Sequence, residues 1–95
     1  MLIHCVTFRF KDSATPEQVD ALHAALADLP GKLPFTVTSR HGRDLGERAT
    51  NADYGVVTEF ESVEDFHAYL EHPAHRALPV EAVESYLGVQ FVVGG

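Results

Sequence analysis

Apolar and polar residues alternate over the first ten positions of the chain, which is the pattern of a β-strand. The even-numbered residues from His4 to Phe10 would lie on one face of this strand, and the odd-numbered residues from Ile3 to Arg9 on the other. Because both faces carry apolar side chains, we expect the strand to be covered on both sides.

The pattern then changes to that of a helix. Thr15 is placed to cap its amino end, Pro16 suits the first helical position, and Gln18 completes a capping box. Apolar residues follow at intervals of three, four and three, namely Val19, Leu22, Leu26 and Leu29. The spacing predicts a helix over residues 16–29 with one buried face, ended by a Pro-Gly pair.

Alternation returns in the middle of the chain. It predicts a second strand over residues 35–41 and a third over residues 54–60. The stretch between them, residues 42–53, is charged and has no period, so we expect a loop.

The last third of the chain begins with a second helix, capped by Ser62. Pro73 is expected to start a third helix, which is interrupted or restarted at Pro79 and ends near Leu87. Residues 89–93 are apolar and β-branched and predict a fourth strand.

The order β-α-β-β-α-(α)-β is that of an α+β, ferredoxin-like fold, with a four-stranded antiparallel sheet and helices on one face. We expect residues 1–95 to form a single domain. The other sheet face would expose Ile3, Cys5 and Thr7 of the first strand and Val92 of the last. With no further element to cover it, this face predicts a homodimer.

The charge limits the possible binding partners, and the cysteine content bears on the cellular compartment. Fourteen acidic residues against seven lysines and arginines give a formal charge of −7, which argues against nucleic acid or an anionic membrane as a partner. Cys5 is the only cysteine, so no internal disulfide can form. The sequence has no leader pattern and no apolar run of about 18 residues. We therefore expect a cytoplasmic protein.

The predicted fold places several polar groups beside apolar ones. His4 and Tyr54 would lie at strand ends, beneath helices that carry Leu26 and Tyr69 on their inner faces. An apolar space with a few convergent polar groups is typical of a small-molecule pocket. The residues expected to contact a ligand there are Val6, Phe8, Leu26, Tyr54, Val56, Phe66, His72 and Phe91.

The break between the second and third helices carries the candidate chemistry. Tyr69, His72 and His75 lie within seven residues around Pro73. His75 would be near the third position of the new helix, where the positive end of the helix dipole favours a neutral imidazole that can accept a proton. Each of the three residues also has a purely structural interpretation. Tyr69 would be a core tyrosine, and the two histidines would be residues at helix ends.

Nothing in the sequence predicts a metal or a cofactor. His72 and His75 are three residues apart, but no acidic residue or cysteine completes a recognisable ligand set. Residues 42–46 lack the glycine spacing of a phosphate-binding loop. His23 and His67 are expected on solvent-facing helix flanks, and the remaining histidine of the second strand carries no functional signal.

The sequence resembles the stress-responsive A/B barrel (Dabb) family over essentially the whole chain, and four stretches carry the resemblance. They are the opening strand (residues 4–11), the turn after the first helix (residues 29–32), the end of the third strand (residues 60–62) and the segment from Tyr69 to His75. The resemblance implies a dimeric α+β barrel. The family includes plant stress proteins and polyketide cyclases, so it does not imply a single activity.

The polyketide cyclases of this family close a linear substrate by aldol condensation with a tyrosine–histidine pair. Matched along the motifs, the catalytic histidine falls on His75, its tyrosine partner on Tyr69 and a strand histidine on His4. The chain departs from that pattern at Tyr54, where the cyclases have a histidine, and at Leu26, where they have a tyrosine.

Two functions from different classes remain open. The first is a homodimer that binds a small organic ligand, with a link to stress responses. The second is a cofactor-free acid–base enzyme of the polyketide cyclase type (an aldol cyclase or lyase), acting on a hydrophobic or polyketide-like compound with His75 as base, Tyr69 as its partner and His4 assisting. A third alternative is a cofactor-free monooxygenase.

Overall fold

The computed structural model describes residues 1–94 and has the predicted ferredoxin-like arrangement. Its elements are β1 (Leu2–Phe10), α1 (Pro16–Asp28), a 3-10 turn (Leu29–Lys32), β2 (Val37–Arg43), β3 (Tyr54–Phe60), α2 (Val63–Glu71), α3 (Pro73–Arg76) and β4 (Val83–Val92). The four strands form one antiparallel sheet in the order β2-β3-β1-β4. β1 and β3 are therefore the central strands, as their apolar sequences predict.

The helices cover one face of this sheet. In antiparallel strands, directly opposed residues point to the same face, and β1 pairs with β3 so that His4 opposes Thr58 and Phe8 opposes Tyr54. Two buried clusters join that face to the helices: Leu2, Leu29, Phe60, Phe66 and Tyr69 in one, and Leu22, Leu26, Tyr54 and Val56 in the other. The even-numbered face of β1 thus points toward the helices, as predicted.

The predicted starts of the first two helices are confirmed by their caps. The Thr15 hydroxyl accepts a hydrogen bond from the Gln18 backbone N–H at 3.2 Å, and the Gln18 side chain accepts from the Thr15 N–H at 3.0 Å. The Ser62 hydroxyl accepts from the Asp65 N–H at 3.1 Å. Such caps satisfy backbone donors that a helix cannot pair internally.

The prediction of a third helix reaching Leu87 is wrong. The helix that starts at Pro73 ends at Arg76, and β4 begins at Val83, six residues earlier than predicted. Pro79 lacks a backbone N–H and restricts the residue before it, so the helix cannot continue. Residues 83–88 pair with β1, except for Glu84 at a register shift between Arg9 and Phe10, and this pairing outweighs any local helical preference.

The face assignment of the last strand is also wrong. Phe91 is opposite Ile3 and Gln90 is opposite His4. Phe91 therefore lies on the open face of the sheet, away from the helices, whereas Val92 lies on the helix side. Apolar residues occupy both faces of β4, so the sequence offers no alternation that fixes its phase, and a shift of one residue exchanges the faces.

The open face of the sheet remains apolar at its β4 end. Leu87, Val89 and Phe91 are 78%, 55% and 45% exposed, and the neighbouring Val57 of β3 is 42% exposed. None of the helices in residues 1–94 has the length and apolar character needed to cross a membrane. Leu87, Val89 and Phe91 thus form an exposed apolar strip on this face.

Candidate functional site

A cavity of about 560 Å³ opens between the helix face of the sheet and the α2–α3 region. Its predicted apolar walls are present: Val6, Phe8, Leu26 and Val56 all line it. A volume of this size is ordinary for a site that binds a small organic molecule, since such pockets range from about 300 to 1,000 Å³.

The three predicted catalytic residues lie together in this pocket. His4 comes from β1, Tyr69 from α2 and His75 from α3, and each lines the cavity. The ring centroids of Tyr69 and His75 are 4.4 Å apart, and those of His4 and Tyr69 are 6.0 Å apart. The three side chains do not hydrogen-bond to one another, so each keeps its polar atoms for other partners.

Polar atoms of all three residues are available to a ligand. Within residues 1–94, His75 Nδ1 is the only buried side-chain nitrogen or oxygen without a hydrogen-bond partner. The Tyr69 hydroxyl and the Nε2 atoms of His4 and His75 form no hydrogen bond with these residues either, and they keep accessible surface. Three hydrogen-bonding atoms therefore meet a mostly apolar space.

Burial sets the protonation of these groups. It lowers the pKa of His75, although the backbone of Leu70 beside the ring acts in the opposite direction. Burial also lowers the pKa of His4, and a positive charge on His75 would lower it further. It raises the pKa of Tyr69 to about 12. At neutral pH the pocket holds two neutral imidazoles and a protonated phenol.

The direction of the His75 shift agrees with the sequence prediction, but its cause differs. The prediction relied on the helix dipole, whereas α3 is a single turn of four residues. Desolvation of the ring is the leading cause.

His4 has one partner that the sequence analysis missed. Gln90 of β4 lies opposite His4, and its Nε2 atom is 2.8 Å from His4 Nδ1. The only signal in the sequence is a polar residue within an apolar strand. Because the predicted phase of β4 was wrong, that residue was assigned to the other face.

Four of the predicted ligand-contacting residues lie outside the pocket. Phe91 is on the open face of the sheet. Phe66 belongs to the buried core, where its ring packs against that of His4 at a centroid distance of 4.9 Å. His72 caps α3, because its Nδ1 atom accepts a hydrogen bond from the Ala74 N–H at 3.1 Å. Its geometry supports the structural interpretation.

Tyr54, the fourth of these, belongs to a different polar cluster. It is 1% exposed, and its hydroxyl lies 2.6 Å from His23 Nδ1 and 2.7 Å from His41 Nδ1. Burial raises the pKa of Tyr54, opposed by the charge of Arg43. Burial lowers the pKa of His41, as does the neighbouring His23. We call these three residues the His-Tyr-His cluster.

No local pattern in the sequence indicates this cluster, because its members come from three elements. His23 lies on α1, His41 on β2 and Tyr54 on β3. His23 was expected on a solvent-facing helix flank, but it is only partly exposed. No spacing in the sequence relates residues 23, 41 and 54, since the register of β2 and β3 and the packing of α1 on the sheet bring them together.

The pocket has a rim that the sequence analysis also missed. Leu78, Val80 and Val83 extend its apolar wall, and Arg76 and Glu84 add opposite charges. Four of these five residues lie in the segment predicted to be helical beyond Arg76, which explains the omission. Among residues 1–94, no group of three or more histidine, cysteine or acidic side chains is placed to hold a metal ion.

Comparison with known proteins gives consistent similarities. Olivetolic acid cyclase from Cannabis sativa is 30% identical over 74 residues, which cover 76% of this chain and 73% of the cyclase. A dimeric ferredoxin-like protein of unknown function from Thermobifida fusca has a crystal structure that superposes with a TM-score of 0.85 at 34% identity, covering 97% of this chain and 90% of that one.

A third protein shares the fold at lower identity. Hydroxynitrile lyase from Passiflora edulis superposes with a TM-score of 0.84 at 24% identity, covering 98% of this chain and 93% of the lyase. Residues 2–93 also match the family described as the stress responsive A/B barrel domain, Dabb. The chain belongs to the stress responsive A/B barrel domain family.

Proposed function

We propose that this protein binds a small, largely apolar carbonyl compound in the helix-side pocket and moves a proton on it without a cofactor. One observation carries the proposal: the Tyr69 hydroxyl and the Nε2 atoms of His4 and His75 are free of protein partners around a mostly apolar cavity of about 560 Å³. Polar atoms left without partners in such a space are suited to a ligand that supplies them.

The proposed reaction begins at His75. Its neutral Nε2 takes a proton from the carbon next to the carbonyl, and the electrons of that C–H bond form an enolate. The Tyr69 hydroxyl stays protonated because its pKa is raised to about 12, so it can donate a hydrogen bond to the enolate oxygen. The imidazolium then returns the proton, either to the enolate carbon or, after the enolate has attacked a second carbonyl, to the alkoxide formed there.

The similarity to olivetolic acid cyclase supports this type of chemistry, since the three residues matched to cyclase groups are the three that meet in the pocket. The substrate is expected to differ from that of the cyclase. Leu26 makes one wall apolar, and Tyr54 points away into the His-Tyr-His cluster. Two polar contacts of the cyclase pattern are thus absent from this pocket.

We also propose that two copies of the chain pack through the open face of the sheet. Leu87, Val89 and Phe91 present an exposed apolar strip there, and apolar strips of this kind mark interfaces. The similar protein from Thermobifida fusca is dimeric. A second copy would remove the strip from water and leave the helix-side pocket open.

Proton exchange tests the proposal directly. The probe is hexanophenone, an apolar ketone, incubated with the protein in D₂O, and NMR records the loss of the signal from the hydrogens beside its carbonyl. We expect exchange with the wild-type protein and its loss in His75→Gln. The matched control is His67→Gln, which makes the same change at an exposed position of α2 and should leave the exchange unaffected.

The other outcomes separate binding from chemistry. Saturation-transfer NMR on the same samples reports whether hexanophenone binds. Binding without exchange would overturn the enzymatic proposal and leave a ligand-binding protein. Absence of both binding and exchange would contradict the assignment of the pocket to apolar carbonyl compounds.

A further inference from the structure

We propose that Gln90 is a positioning residue that holds His4 in the tautomer with its proton on Nε2, so that His4 offers the pocket a hydrogen-bond donor. The inference rests on the acid–base function proposed above. It assigns different tasks to the two imidazoles of the pocket: His4 donates a hydrogen bond to the substrate oxygen, and His75 accepts the proton.

The register of the sheet brings the two residues together. Gln90 on β4 is directly opposite His4 on β1, and its Nε2 atom is 2.8 Å from His4 Nδ1. An amide nitrogen carries two hydrogens and acts only as a donor. Nδ1 must therefore accept, and a neutral imidazole that accepts at Nδ1 carries its proton on Nε2.

The surroundings keep the His4 ring in this orientation. The residue is 8% exposed, and its ring packs against those of Phe66 and Tyr69 at centroid distances of 4.9 and 6.0 Å. A ring that is packed among aromatic side chains cannot turn over without displacing them. The hydrogen bond from Gln90 therefore determines which nitrogen is protonated, while the packing determines where the ring points.

Gly88 leaves room for the amide. It precedes Gln90 by two positions, on the same face of β4, and a methyl group added there would lie 3.4 Å from Gln90 Nε2. A side chain longer than alanine at position 88 would compete with the amide for this space.

A fixed tautomer matters because the two imidazoles share one pocket. When His75 accepts a proton, its positive charge further lowers the pKa of His4. His4 therefore stays neutral and can act on the substrate oxygen only through the hydrogen on one of its nitrogens. With that hydrogen on Nε2, both His4 and Tyr69 donate toward the developing negative charge.

The test measures the tautomer itself. Protein labelled with ¹⁵N-histidine is examined by long-range ¹H–¹⁵N NMR, which distinguishes protonated from unprotonated ring nitrogens, and the signals of His4 are identified by their loss in His4→Gln. We expect an unprotonated Nδ1 in the wild-type protein. Gln90→Glu replaces the donor by a group that only accepts, so Nδ1 should become protonated and, at a pH high enough to keep the ring neutral beside the carboxylate, Nε2 should lose its proton.

A matched control is available on α1. Gln18→Glu makes the same substitution within the capping box of Thr15, where either residue fits, and should leave the His4 signals unchanged. In the hexanophenone assay, Gln90→Glu should slow exchange by about 10²-fold, the effect typical of losing one donor to a developing oxyanion. Binding of the ketone should change little.

Each outcome decides one part of the proposal. A wild-type His4 protonated on Nδ1, or a Gln90→Glu protein with an unchanged tautomer, would overturn the assignment of Gln90 even if the protein is an enzyme. A tautomer that changes while the exchange rate does not would overturn the donor role of His4. If the wild-type protein catalyses no exchange, the proposed function is contradicted, but the tautomer measurement still tests the role of Gln90.

Discussion

The titratable residues of the pocket have pKa values that differ from those of the same side chains in water, because they are buried. Desolvation favours the neutral form of every titratable group, so it lowers the pKa of His4 and His75 and raises that of Tyr69. A neutral base beside a protonated donor at neutral pH is the combination that proton abstraction requires. The chemistry of the site is thus a consequence of its apolar walls.

This protonation pattern predicts the pH dependence of hexanophenone exchange. The rate should rise with pH as His75 loses its proton, with a midpoint below the ordinary histidine value of 6.5 because burial lowers its pKa. It should then stay level, since Tyr69 keeps its proton until about pH 12. Initial rates measured by NMR at a series of pH values check this. A midpoint above 6.5 would contradict the role of His75 as base.

The sequence identifies these three residues because they belong to local motifs. His4 lies in an alternating strand, and Tyr69 and His75 flank a helix break marked by a proline. Gln90 and the two histidines of the His-Tyr-His cluster belong to no local motif. The contacts of the two histidines depend on how α1, β2 and β3 pack together. The contact of Gln90 depends on the register of β4 against β1, which a strand without alternation does not fix.

At the scale of elements, the His-Tyr-His cluster joins three parts of the fold. One phenol bridges α1, β2 and β3, and it is almost fully buried. It lies beside the ion pair between Asp20 of α1 and Arg43 of β2. Because β2 is an edge strand, these contacts are expected to help fasten it and α1 to the sheet.

Tyr54→Phe tests this role. The change keeps the ring and removes the hydroxyl, which leaves two partly buried imidazole nitrogens without their partner. Losing such a partner costs about 1–3 kcal/mol, so the free energy of unfolding in urea should fall by about that amount. Tyr69→Phe is the matched control, since its hydroxyl has no protein partner among residues 1–94, and it should change stability little. Equal effects in the two variants would refute the bridging role.

Element prediction succeeded where the signal was local. The capping box of Thr15 and Gln18 and the cap at Ser62 fixed the starts of α1 and α2 correctly. It failed for residues 83–88, whose strand conformation comes from pairing with β1 at the other end of the chain. A pairing of that kind overrides local propensity and leaves little trace in the segment itself.

At the scale of the whole molecule, histidines make stability depend on pH. The pKa values of His4, His41 and His75 are all lowered from 6.5 in the folded state. Between those lowered values and 6.5 the unfolded chain binds more protons than the folded one. Their contribution to stability is therefore complete above about pH 6.5 and is lost as the pH falls toward the folded-state values.

Urea unfolding at a fixed protein concentration, from about pH 8 to about pH 5, checks this expectation. The free energy of unfolding should be level above about pH 6.5 and decrease below it. His41→Gln removes one of the three groups and should make the decrease shallower. His67→Gln, at an exposed position, should leave it as in the wild type. Stability that increases on acidification would contradict the lowered pKa values.

The proposed dimer interface on the open face of the sheet can be tested with a single substitution. Val89 is 55% exposed there, directly opposite Cys5 and next to Leu87 and Phe91 on the same face. A carboxylate at this position would have to be buried against a partner copy, which is costly for an unpaired charge. Val89→Asp should therefore convert a dimer into a monomer, as measured by light scattering coupled to size exclusion.

Val63→Asp is the control for this experiment, because it makes the same substitution at a 38% exposed valine in the first turn of α2, where a negative charge is tolerated. That variant should remain dimeric. Since the helix-side pocket lies on the other face of the sheet, monomeric Val89→Asp should still bind hexanophenone if it remains folded. A wild-type protein that is monomeric at micromolar concentration would refute the dimer, and a folded monomer that no longer binds the ketone would show that the partner contributes to the pocket.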